Sequence, residues 1–346
     1  MAAILGLATA VPPYRLDQRD VTDRALRIYA PVVERFPQLV DVFVNAGIER
    51  RYSVRPIDWF EQPHDWRDRN DVYLDGAQAL FAQATRVALD HAELSPGDVD
   101  VIVTVSSTGI ATPSLEARMM DTMGFRSDVM RVPVFGLGCA GGVSGLSIGA
   151  RLARAKPGDV VLIVVVELCT LAFRADRNDK ADVISSALFG DGAAALVLRA
   201  GEARDEGRAA LYVGRTGEHL WPRTLDIMGW SIDPAGFGVV LSRSLPRFVE
   251  ERLAMPAREF ASSIVGNGRY VFHPGGARVL DAVQAALGLS NEAVAAERSV
   301  LRDYGNMSAP TVLFVLDRVM QRGLAAPAVL AALGPGFTAS FAALHA

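Results

Sequence analysis

One cysteine of this chain lies in a glycine-rich stretch that could present a nucleophile. The chain has 346 residues and two cysteines, and Cys139 stands within GLGCAGG (136–142). A strand-like run precedes this stretch and a helical pattern follows it, so we expect the cysteine at the start of a helix. The N–H groups and the dipole there favour a thiolate and lower the pKa of the thiol. The small residues Ala140, Gly141 and Gly142 are expected to leave room for a substrate.

Two other interpretations of this stretch stay open. Gly-x-Gly-x-x-Gly is also the pattern of a dinucleotide-binding loop, but that pattern requires an acidic residue at the end of the next strand. Glu167 holds that place later than is usual (167 − 141 = 26). The other interpretation is a buried, unreactive cysteine, which we prefer for Cys169 at the end of the run VVLIVVVEL. For Cys139 the strand-to-helix position favours a nucleophile.

His273 is the histidine whose context best fits a catalytic role. Of five histidines, only this one ends an apolar strand-like run and is followed by Pro-Gly-Gly (274–276). The proline restricts the backbone and the glycines let a ligand approach closely. The alternative is a core histidine whose hydrogen bonds are satisfied within the protein.

Asn306, in the segment YGNMSAPT, completes a set that suits acyl transfer. A simple helix N-cap is the alternative, because asparagine is favoured there. In the catalytic interpretation, the Cys139 thiolate accepts an acyl group from a thioester. His273 and Asn306 donate hydrogen bonds to an oxygen that gains negative charge. The same donors would stabilise the enolate that forms when a malonyl thioester loses carbon dioxide.

A weak internal repeat predicts that these side chains converge. After Cys139 and after Asn306 the chain runs from small residues through an amphipathic helix and a proline-containing turn to an apolar strand. The two residues are 167 apart (306 − 139 = 167). The same offset relates His273 to Ser106 (273 − 167 = 106), and both end strand-like runs. Two similar halves around a pseudo-twofold axis would bring these matching positions together.

The elements that must position these residues indicate an α/β fold. Apolar runs such as VDVIVTVSS and VVLIVVVEL alternate with helical stretches, and they are continuous, which is typical of strands covered by helices on both faces. The polar segment GEARDEGRAA (201–210) is the predicted joint between halves. We therefore expect an N-terminal half over 1–200 with the nucleophilic cysteine, and a C-terminal half over 201–346 with the histidine and the asparagine.

The composition excludes several classes of function. The net charge of −4 does not suit nucleic-acid binding, which needs a basic face. Two cysteines do not make a disulfide framework. The apolar start, MAAILGLATAVPP, lacks a basic region and is interpreted as a buried strand, and the longest apolar run is too short to span a membrane. A cytoplasmic protein without a membrane span is expected.

Together these motifs resemble the type III polyketide synthases, the chalcone synthase-like branch of the thiolase superfamily. The resemblance covers nearly the whole chain, through ILGLATAVPP, GCAGGVSGL, ELCTLAFR, LFGDGAAA, FHPGGARVLDAV, GNMSAPTVLFVLDRV and GPGFTASF. It implies a thiolase-like duplicated αβαβα five-layer fold with two pseudo-symmetric halves, a homodimer, and coenzyme A thioesters as substrates. It also implies that Cys139 is acylated, with His273 and Asn306 as decarboxylation and oxyanion partners.

The resemblance also implies a set of residues around the substrate cavity. Phe189 matches a gatekeeper phenylalanine, and Thr112 matches a position that reaches into the partner's cavity. Val239 stands where the family has a second gatekeeper phenylalanine, although Phe237 is close by. The full set of implied cavity residues is Phe189, Thr112, Cys169, Val239, Gly276, Arg278 and the floor loop Gly334, Pro335 and Gly336.

Two departures from the plant members affect the predicted substrate. The basic cluster that holds coenzyme A phosphates is echoed only by Arg50 and Arg51, and Arg278 could serve instead. A valine at position 239 in place of phenylalanine opens space, which favours an aliphatic starter over an aromatic one. The segment VVVELCTLAFRADRNDKAD is also similar to bacterial enzymes that make alkylresorcinols and alkylpyrones from long-chain acyl-CoA.

The sequence therefore predicts a decarboxylating condensing enzyme, an acyltransferase that needs no cofactor and no metal. It would load a medium- or long-chain fatty acyl-CoA on Cys139, extend it with malonyl-CoA, and release a cyclised alkylpyrone or alkylresorcinol. The alternative within the superfamily is a 3-oxoacyl synthase III-like enzyme of fatty acid synthesis that condenses once. A Cys-His-Asn hydrolase and a nucleotide-binding module are the alternatives from other classes.

Overall fold

The computed structural model of the chain describes residues 1–177, 179–201, 211–262, 264, 269–324 and 327–346. The strands are β1 (Ala2–Ala10), β2 (Tyr14–Asp17), β3 (Arg50–Ser53), β4 (Val101–Val105), β5 (Met130–Val134), β6 (Val161–Leu168), β7 (Asp191–Ala200), β8 (Leu211–Leu220), β9 (Met228–Asp233), β10 (Gly236–Leu241), β11 (Arg269–Phe272), β12 (Ala328–Gly334) and β13 (Thr338–His345). The helices are α1 (Gln18–Ile28), α2 (Ala30–Arg35), α3 (Val40–Val44), α4 (Trp66–Ala92), α5 (Leu115–Met123), α6 (Gly141–Ala155), α7 (Lys180–Leu188), α8 (Leu245–Arg252), α9 (Ala254–Ala261), α10 (Ala277–Leu287), α11 (Ala295–Tyr304) and α12 (Thr311–Gln321).

The large sheet repeats one strand order in its two halves. Its nine strands run β11-β12-β13-β8-β1-β7-β6-β4-β5, and β1 and β8 pair at the centre. Outward from β8 the sheet continues with β13, β12 and β11, and outward from β1 it continues with β7, β6 and β4, with β5 at the edge. The pairings match as well: β4–β6 and β11–β12 are parallel, whereas β6–β7 and β12–β13 are antiparallel. The duplication inferred from the sequence is therefore confirmed by the topology.

The sheet and helices form the five layers expected of the fold. Helices α6 and α12 lie in the middle, where their apolar side chains meet residues of both half-sheets in one core. Helices α4 and α5 cover the outer face of the N-terminal half-sheet. Helices α8, α9 and α10 cover the outer face of the C-terminal half-sheet. Strands buried on both faces explain why runs such as VVLIVVV are continuously apolar.

The glycines after Cys139 serve the packing of the two halves, which corrects one expectation. A Cβ atom on Gly142 would lie 2.3 Å from the carbonyl oxygen of Ala309, and one on Gly141 would lie 2.8 Å from Val105. Ala140 is fully buried too. These residues therefore do not hold space open for a substrate, because helix α6 needs their small size to approach the other half.

The predicted joint lies outside the described residues except for Gly201, so the boundary between halves at 200 and 201 stays a prediction. The apolar start of the chain forms the buried strand β1, as expected. No helix among the described residues is long and apolar enough to cross a membrane.

Candidate active site

Cys139 lies in a short 3-10 turn, Gly138–Ala140, that leads directly into helix α6. The loop before it is held by one hydroxyl group, because Oγ of Ser107 accepts hydrogen bonds from the backbone N–H groups of Gly136 (3.2 Å) and Gly138 (3.3 Å). The strand-to-helix position predicted for Cys139 is confirmed. The role of Ser107 follows from contacts between segments that are distant in sequence, and the sequence gives no sign of it.

The environment of the thiol shifts its pKa upward rather than downward. Cys139 is 7% exposed, and burial raises its pKa to about 11, although hydrogen bonds with Ser308 and Asn306 oppose the shift. The expectation of a lowered pKa is therefore wrong, because burial removes water from around the thiol and disfavours the thiolate. The thiol is neutral at rest, so it must lose its proton as it reacts.

His273 follows strand β11 immediately and faces the same cavity as Cys139. Its backbone N–H donates to the carbonyl oxygen of Ala331 at 2.9 Å, which fixes the residue at the strand end. Neither ring nitrogen has a hydrogen-bond partner among the described residues. Burial lowers the pKa of His273 to about 3, so the imidazole is neutral. A buried imidazole with free nitrogens can bind a ligand, and it is not the satisfied core histidine considered as the alternative.

Asn306 is held rigidly with its amide toward the cavity. Its Nδ2 donates to the carbonyl oxygen of Gly275 at 3.0 Å, and its Oδ1 accepts from the N–H of Ser308 at 2.8 Å. Its backbone is fixed too, because its N–H donates to Leu188 (2.8 Å). Helix α12 begins only at Thr311, after Pro310 as its N-cap, so the simple N-cap interpretation of Asn306 is wrong.

Ser308 is a functional neighbour that the sequence analysis missed. It lines the same cavity as Cys139, opposes the upward shift in the pKa of that thiol, and has a left-handed backbone with φ of 60°. A serine rarely adopts this conformation, and such strain is found most often at functional sites. The segment GNMSAPT therefore contributes two polar side chains to the thiol, Asn306 and Ser308.

The three predicted catalytic residues converge on one cavity of about 450 Å³, which is in the range of small-molecule sites. Cys139, His273 and Asn306 all line it. Of the implied cavity residues, those that also line it are Phe189, Cys169, Val239, Gly276, Arg278 and Pro335.

The other implied cavity residues lie elsewhere. Gly334 packs behind the nucleophile, where a Cβ atom would lie 2.6 Å from Cβ of Ala140, and a Cβ atom on Gly336 would lie 2.9 Å from Leu220. These two glycines support the floor that Pro335 contributes, rather than facing the cavity. Thr112 is exposed and does not line the cavity of its own chain.

The gate around Val239 is narrower than the sequence suggests. Val239 lines the cavity, whereas Phe237 does not and stacks against Trp230, with ring centroids 5.7 Å apart. Trp230 lies directly opposite Val239 across the β9–β10 hairpin and lines the same cavity. Its indole N–H donates to the carbonyl oxygen of Ser107 at 2.9 Å, which holds the ring in place. The space gained by a valine at 239 is thus partly filled by a tryptophan.

A second, smaller cavity of about 50 Å³ lies on the far side of two of these wall residues. Cys169 and Phe189 line both cavities. The second cavity is otherwise largely apolar, with Leu16, Val21 and Ile28 from the N-terminal segment. The prediction that Cys169 is a small wall residue fits its position, since it is 1% exposed between the two spaces.

Arg50 and Arg51 are engaged within the protein, which corrects their expected role in binding phosphates. Arg51 is 2% exposed, and its guanidinium donates to the carbonyl oxygens of Ser186 (2.7 Å), Ala187 (2.7 Å) and Phe189 (2.9 Å). Nη2 of Arg50 lies 2.7 Å from Oδ1 of Asp303. The Arg51 side chain is therefore not available to a ligand's phosphates, and that of Arg50 is already paired with a carboxylate.

Glu167 does not have the place that a dinucleotide-binding loop would require. It is completely buried, and its Oε2 accepts hydrogen bonds from the N–H of Ser107 (2.9 Å) and from Oγ1 of Thr108 (2.8 Å). Burial raises the pKa of Glu167 to about 8. Its carboxyl therefore supports the Ser107 loop and is not offered to a ribose. No group of three or more metal-ligating residues occurs in the described part of the chain.

Comparison with known proteins gives the family of the chain. The family model described as "Chalcone and stilbene synthases, N-terminal domain" matches residues 1–202, and the corresponding C-terminal model matches residues 215–345. The fold and the site thus define a type III polyketide synthase, an acyltransferase of the condensing type. The chain belongs to the chalcone and stilbene synthase family.

Similar individual proteins include bacterial members. The 1,3,6,8-tetrahydroxynaphthalene synthase of Streptomyces peucetius subsp. caesius is 38% identical, over 99% of this chain and 93% of that protein. The alpha-pyrone synthesis polyketide synthase-like Pks18 of Mycobacterium tuberculosis is 29% identical, over 98% of this chain and 89% of that protein. The crystal structure of 1,3,6,8-tetrahydroxynaphthalene synthase from Streptomyces coelicolor A3(2), a bacterial type III polyketide synthase, superposes with a TM-score of 0.92 at 29% identity, covering 99% of both chains.

Proposed function

We propose that this enzyme loads a medium- or long-chain fatty acyl group from coenzyme A on Cys139, extends it with malonyl-CoA, and releases a cyclised alkylpyrone or alkylresorcinol. The observation that carries the proposal is the convergence of Cys139, His273 and Asn306 on one largely apolar cavity. The match to the chalcone and stilbene synthase models does not favour the alternative of a 3-oxoacyl synthase III-like enzyme.

Loading begins from a neutral thiol and a neutral imidazole. The proton of Cys139 passes to His273 as the sulfur attacks the thioester carbonyl, so two opposite charges form together and stabilise each other. Amide and imidazole N–H groups donate to the oxyanion. The coenzyme A thiolate leaves and takes the proton from His273, which gives acyl-Cys139 and free coenzyme A.

Extension uses the same donors without a carboxylate base. The malonyl thioester loses carbon dioxide, and the electron pair of the broken bond forms an enolate whose oxygen faces the N–H groups of His273 and Asn306. The enolate carbon attacks acyl-Cys139, and the thiolate leaves. The product is a thioester two carbons longer. This chemistry needs no metal and no cofactor, because the departing carboxylate supplies the carbanion.

The walls of the cavity support an aliphatic starter. The side chains near the gate are apolar, including Leu188, Met228 and Val239. The second cavity behind Cys169 and Phe189 is a place where the end of a longer chain could extend if Phe189 moves. The name of the Mycobacterium relative, which refers to alpha-pyrone synthesis, is consistent with the proposed product class.

A second candidate is the product named for the Streptomyces relatives. Tetrahydroxynaphthalene carries no alkyl side chain, so its synthesis needs no long apolar space. Trp230, which fills the cavity beside Val239, favours this candidate over a long starter. Sequence identity of 38% to one such relative supports it as well.

The assembly and the surroundings of the substrate are part of the same proposal. We infer a homodimer in which the exposed Thr112 reaches the cavity of the partner subunit. Gly276 and Arg278 would lie along the coenzyme A thioester where it enters. A cytoplasmic location remains a prediction from the composition.

One incubation series tests the starter and the product together. The enzyme is supplied with malonyl-CoA and with acyl-CoA thioesters of graded length, and products are identified by mass. Alkylpyrones or alkylresorcinols that incorporate the fatty acyl starter support the proposal. Products made from malonyl-CoA alone, whatever acyl-CoA is added, would support the second candidate instead.

A further inference from the structure

At the open end of the active-site cavity, Arg243 is a cation to which the proposed function gives no role. The exposed residues that line the cavity mark this mouth: Gln38, Asp41, Asn45, Arg243 and Arg278. Arg243 follows strand β10, on the side of the mouth that adjoins α7 and α2, whereas Arg278 opens helix α10. A single carboxylate, that of Asp41, belongs to the same lining.

Two further cations accompany Arg243. Nζ of Lys180 lies 3.0 Å from the centre of the Phe36 ring, and the guanidinium of Arg35 lies 5.1 Å from the same centre. Burial together with the charges of Arg243 and Arg35 lowers the pKa of Lys180. We call Arg35, Lys180 and Arg243 the mouth cluster.

The mouth cluster has no counter-charge in the described part of the chain, whereas cations such as Arg50 and Arg177 are paired. No ion pair joins any of its three members to a carboxylate within the described residues. Asp179, beside Lys180 in the sequence, pairs with Arg177 instead. Three neighbouring cations repel one another, so a bound anion would stabilise their placement beside the cavity mouth.

We propose that the mouth cluster binds the phosphate groups of coenzyme A thioesters while the pantetheine arm extends down the cavity to Cys139. This inference rests on the proposed function. It assigns the phosphates to α2, α7 and the β10–α8 turn, since Arg50 and Arg51 are engaged within the protein. Guanidinium and ammonium groups are the usual partners of phosphate oxygens, and the guanidinium can bind through two parallel hydrogen bonds.

The test compares two malonyl thioesters that differ only beyond the pantetheine arm. Carbon dioxide release from malonyl-CoA and from malonyl-pantetheine, which has no phosphate, is measured for wild type, Arg243→Gln and the double variant Arg243→Gln/Lys180→Gln. The matched control is Arg322→Gln, an exposed arginine after the end of α12, remote from the mouth lining. We expect the single variant to raise KM for malonyl-CoA about fivefold. The double variant should raise it more, with kcat unchanged.

The truncated substrate separates phosphate binding from a general effect on the fold. Kinetics with malonyl-pantetheine should be the same in all variants, and the control should match wild type with both substrates. An unchanged KM for malonyl-CoA in the double variant, or an equal loss with both thioesters, would overturn the inference. If wild type released no carbon dioxide from either substrate, the proposed function itself would fail, which is a different result.

Discussion

The two halves of the molecule share a strand order but, in the proposed mechanism, supply opposite kinds of chemistry to the cavity. The N-terminal half carries the proposed nucleophile, Cys139, on a loop that is held by Ser107 and packed tightly from behind. The C-terminal half carries the proposed hydrogen-bond donors. Both ring nitrogens of His273 lack a partner among the described residues, and Asn306 is fixed by two hydrogen bonds. In the proposed mechanism, matching positions of a duplicated fold therefore serve attack on one side and charge stabilisation on the other.

The two halves differ in what the buried polar groups beside the cavity bind. On the N-terminal side the buried polar atoms around the loop are largely used to hold the backbone. On the C-terminal side the His273 imidazole has no hydrogen-bond partner in the described part of the chain, which is costly for a buried group unless a ligand completes it. The C-terminal half is therefore where stabilisation of a developing negative charge should be lost most selectively by mutation.

The largest effect should come from removing the thiol of Cys139, which the N-terminal half carries. Cys139→Ala should abolish acylation and lower condensation at least about a thousandfold, because no other nucleophile replaces the sulfur. Intact-protein mass after incubation with an acyl-CoA measures the acylation. Cys169→Ala is the matched control and should still be acylated. Acyl transfer to Cys169 in the Cys139→Ala variant would contradict the assignment.

Removing either donor of the C-terminal half should have the next largest effect. His273→Ala or Asn306→Ala should slow malonyl-CoA decarboxylation about 10²–10³-fold, the usual loss for one donor to a developing oxyanion. Release of carbon dioxide is the measurement, and His219→Ala, an exposed histidine of β8, is the control. Near-wild-type release by both variants would show that the two halves do not divide the chemistry in this way.

A smaller effect should show which half selects the starter. Val239→Phe adds bulk beside Trp230 and should lower kcat/KM for the longest accepted acyl-CoA about tenfold, with short starters less affected. Ile232→Phe, on the same hairpin but 74% exposed, is the control. A uniform loss for all lengths would place chain-length selection outside the C-terminal hairpin.

The smallest predicted effect concerns the acid beneath the N-terminal loop. The pKa of Glu167 is about 8 in the folded chain against an ordinary value of 4.5. As the pH rises through this window, the unfolded chain releases the proton first, so folding loses stability. A glutamine at this position cannot ionise, so Glu167→Gln should not show this loss of folding free energy, which is a few kcal/mol at most.

Thermal unfolding at pH 5 and pH 8 measures the contribution of Glu167. The difference between the two melting temperatures should be smaller in Glu167→Gln than in wild type, since wild type alone is destabilised toward pH 8 by this group. Glu34→Gln, at an exposed position of α2, should leave the difference unchanged. An unchanged difference in Glu167→Gln would mean that the carboxyl is ionised already at pH 5.

The convergence of the proposed catalytic residues on one cavity could be predicted because each is marked by its local sequence. Cys139, His273 and Asn306 stand at ends of elements, next to glycine or proline, and the offset of 167 residues places them in corresponding positions. Continuous apolar runs predicted the buried strands for a similar reason, since they need helices on both faces.

The residues that support the site could not be predicted, because their roles depend on contacts between distant segments. Trp230 narrows the gate only through its register opposite Val239. Arg51 looks like a surface cation in the sequence, yet its partners are backbone carbonyls that have no signature of their own. The pKa of Cys139 depends on how much water the fold excludes, and a local pattern does not record that.

The close packing of Gly142 against Ala309 has a consequence for how mutations in this enzyme are interpreted. Any side chain at position 142 would meet the carbonyl oxygen of Ala309 and separate helix α6 from the half that carries Asn306. Activity would fall although position 142 touches no substrate. In a library screened only for product, this glycine would be counted among the catalytic residues. A parallel assay of protein abundance would distinguish a loss of folding caused by a substitution at position 142 from a loss of catalysis.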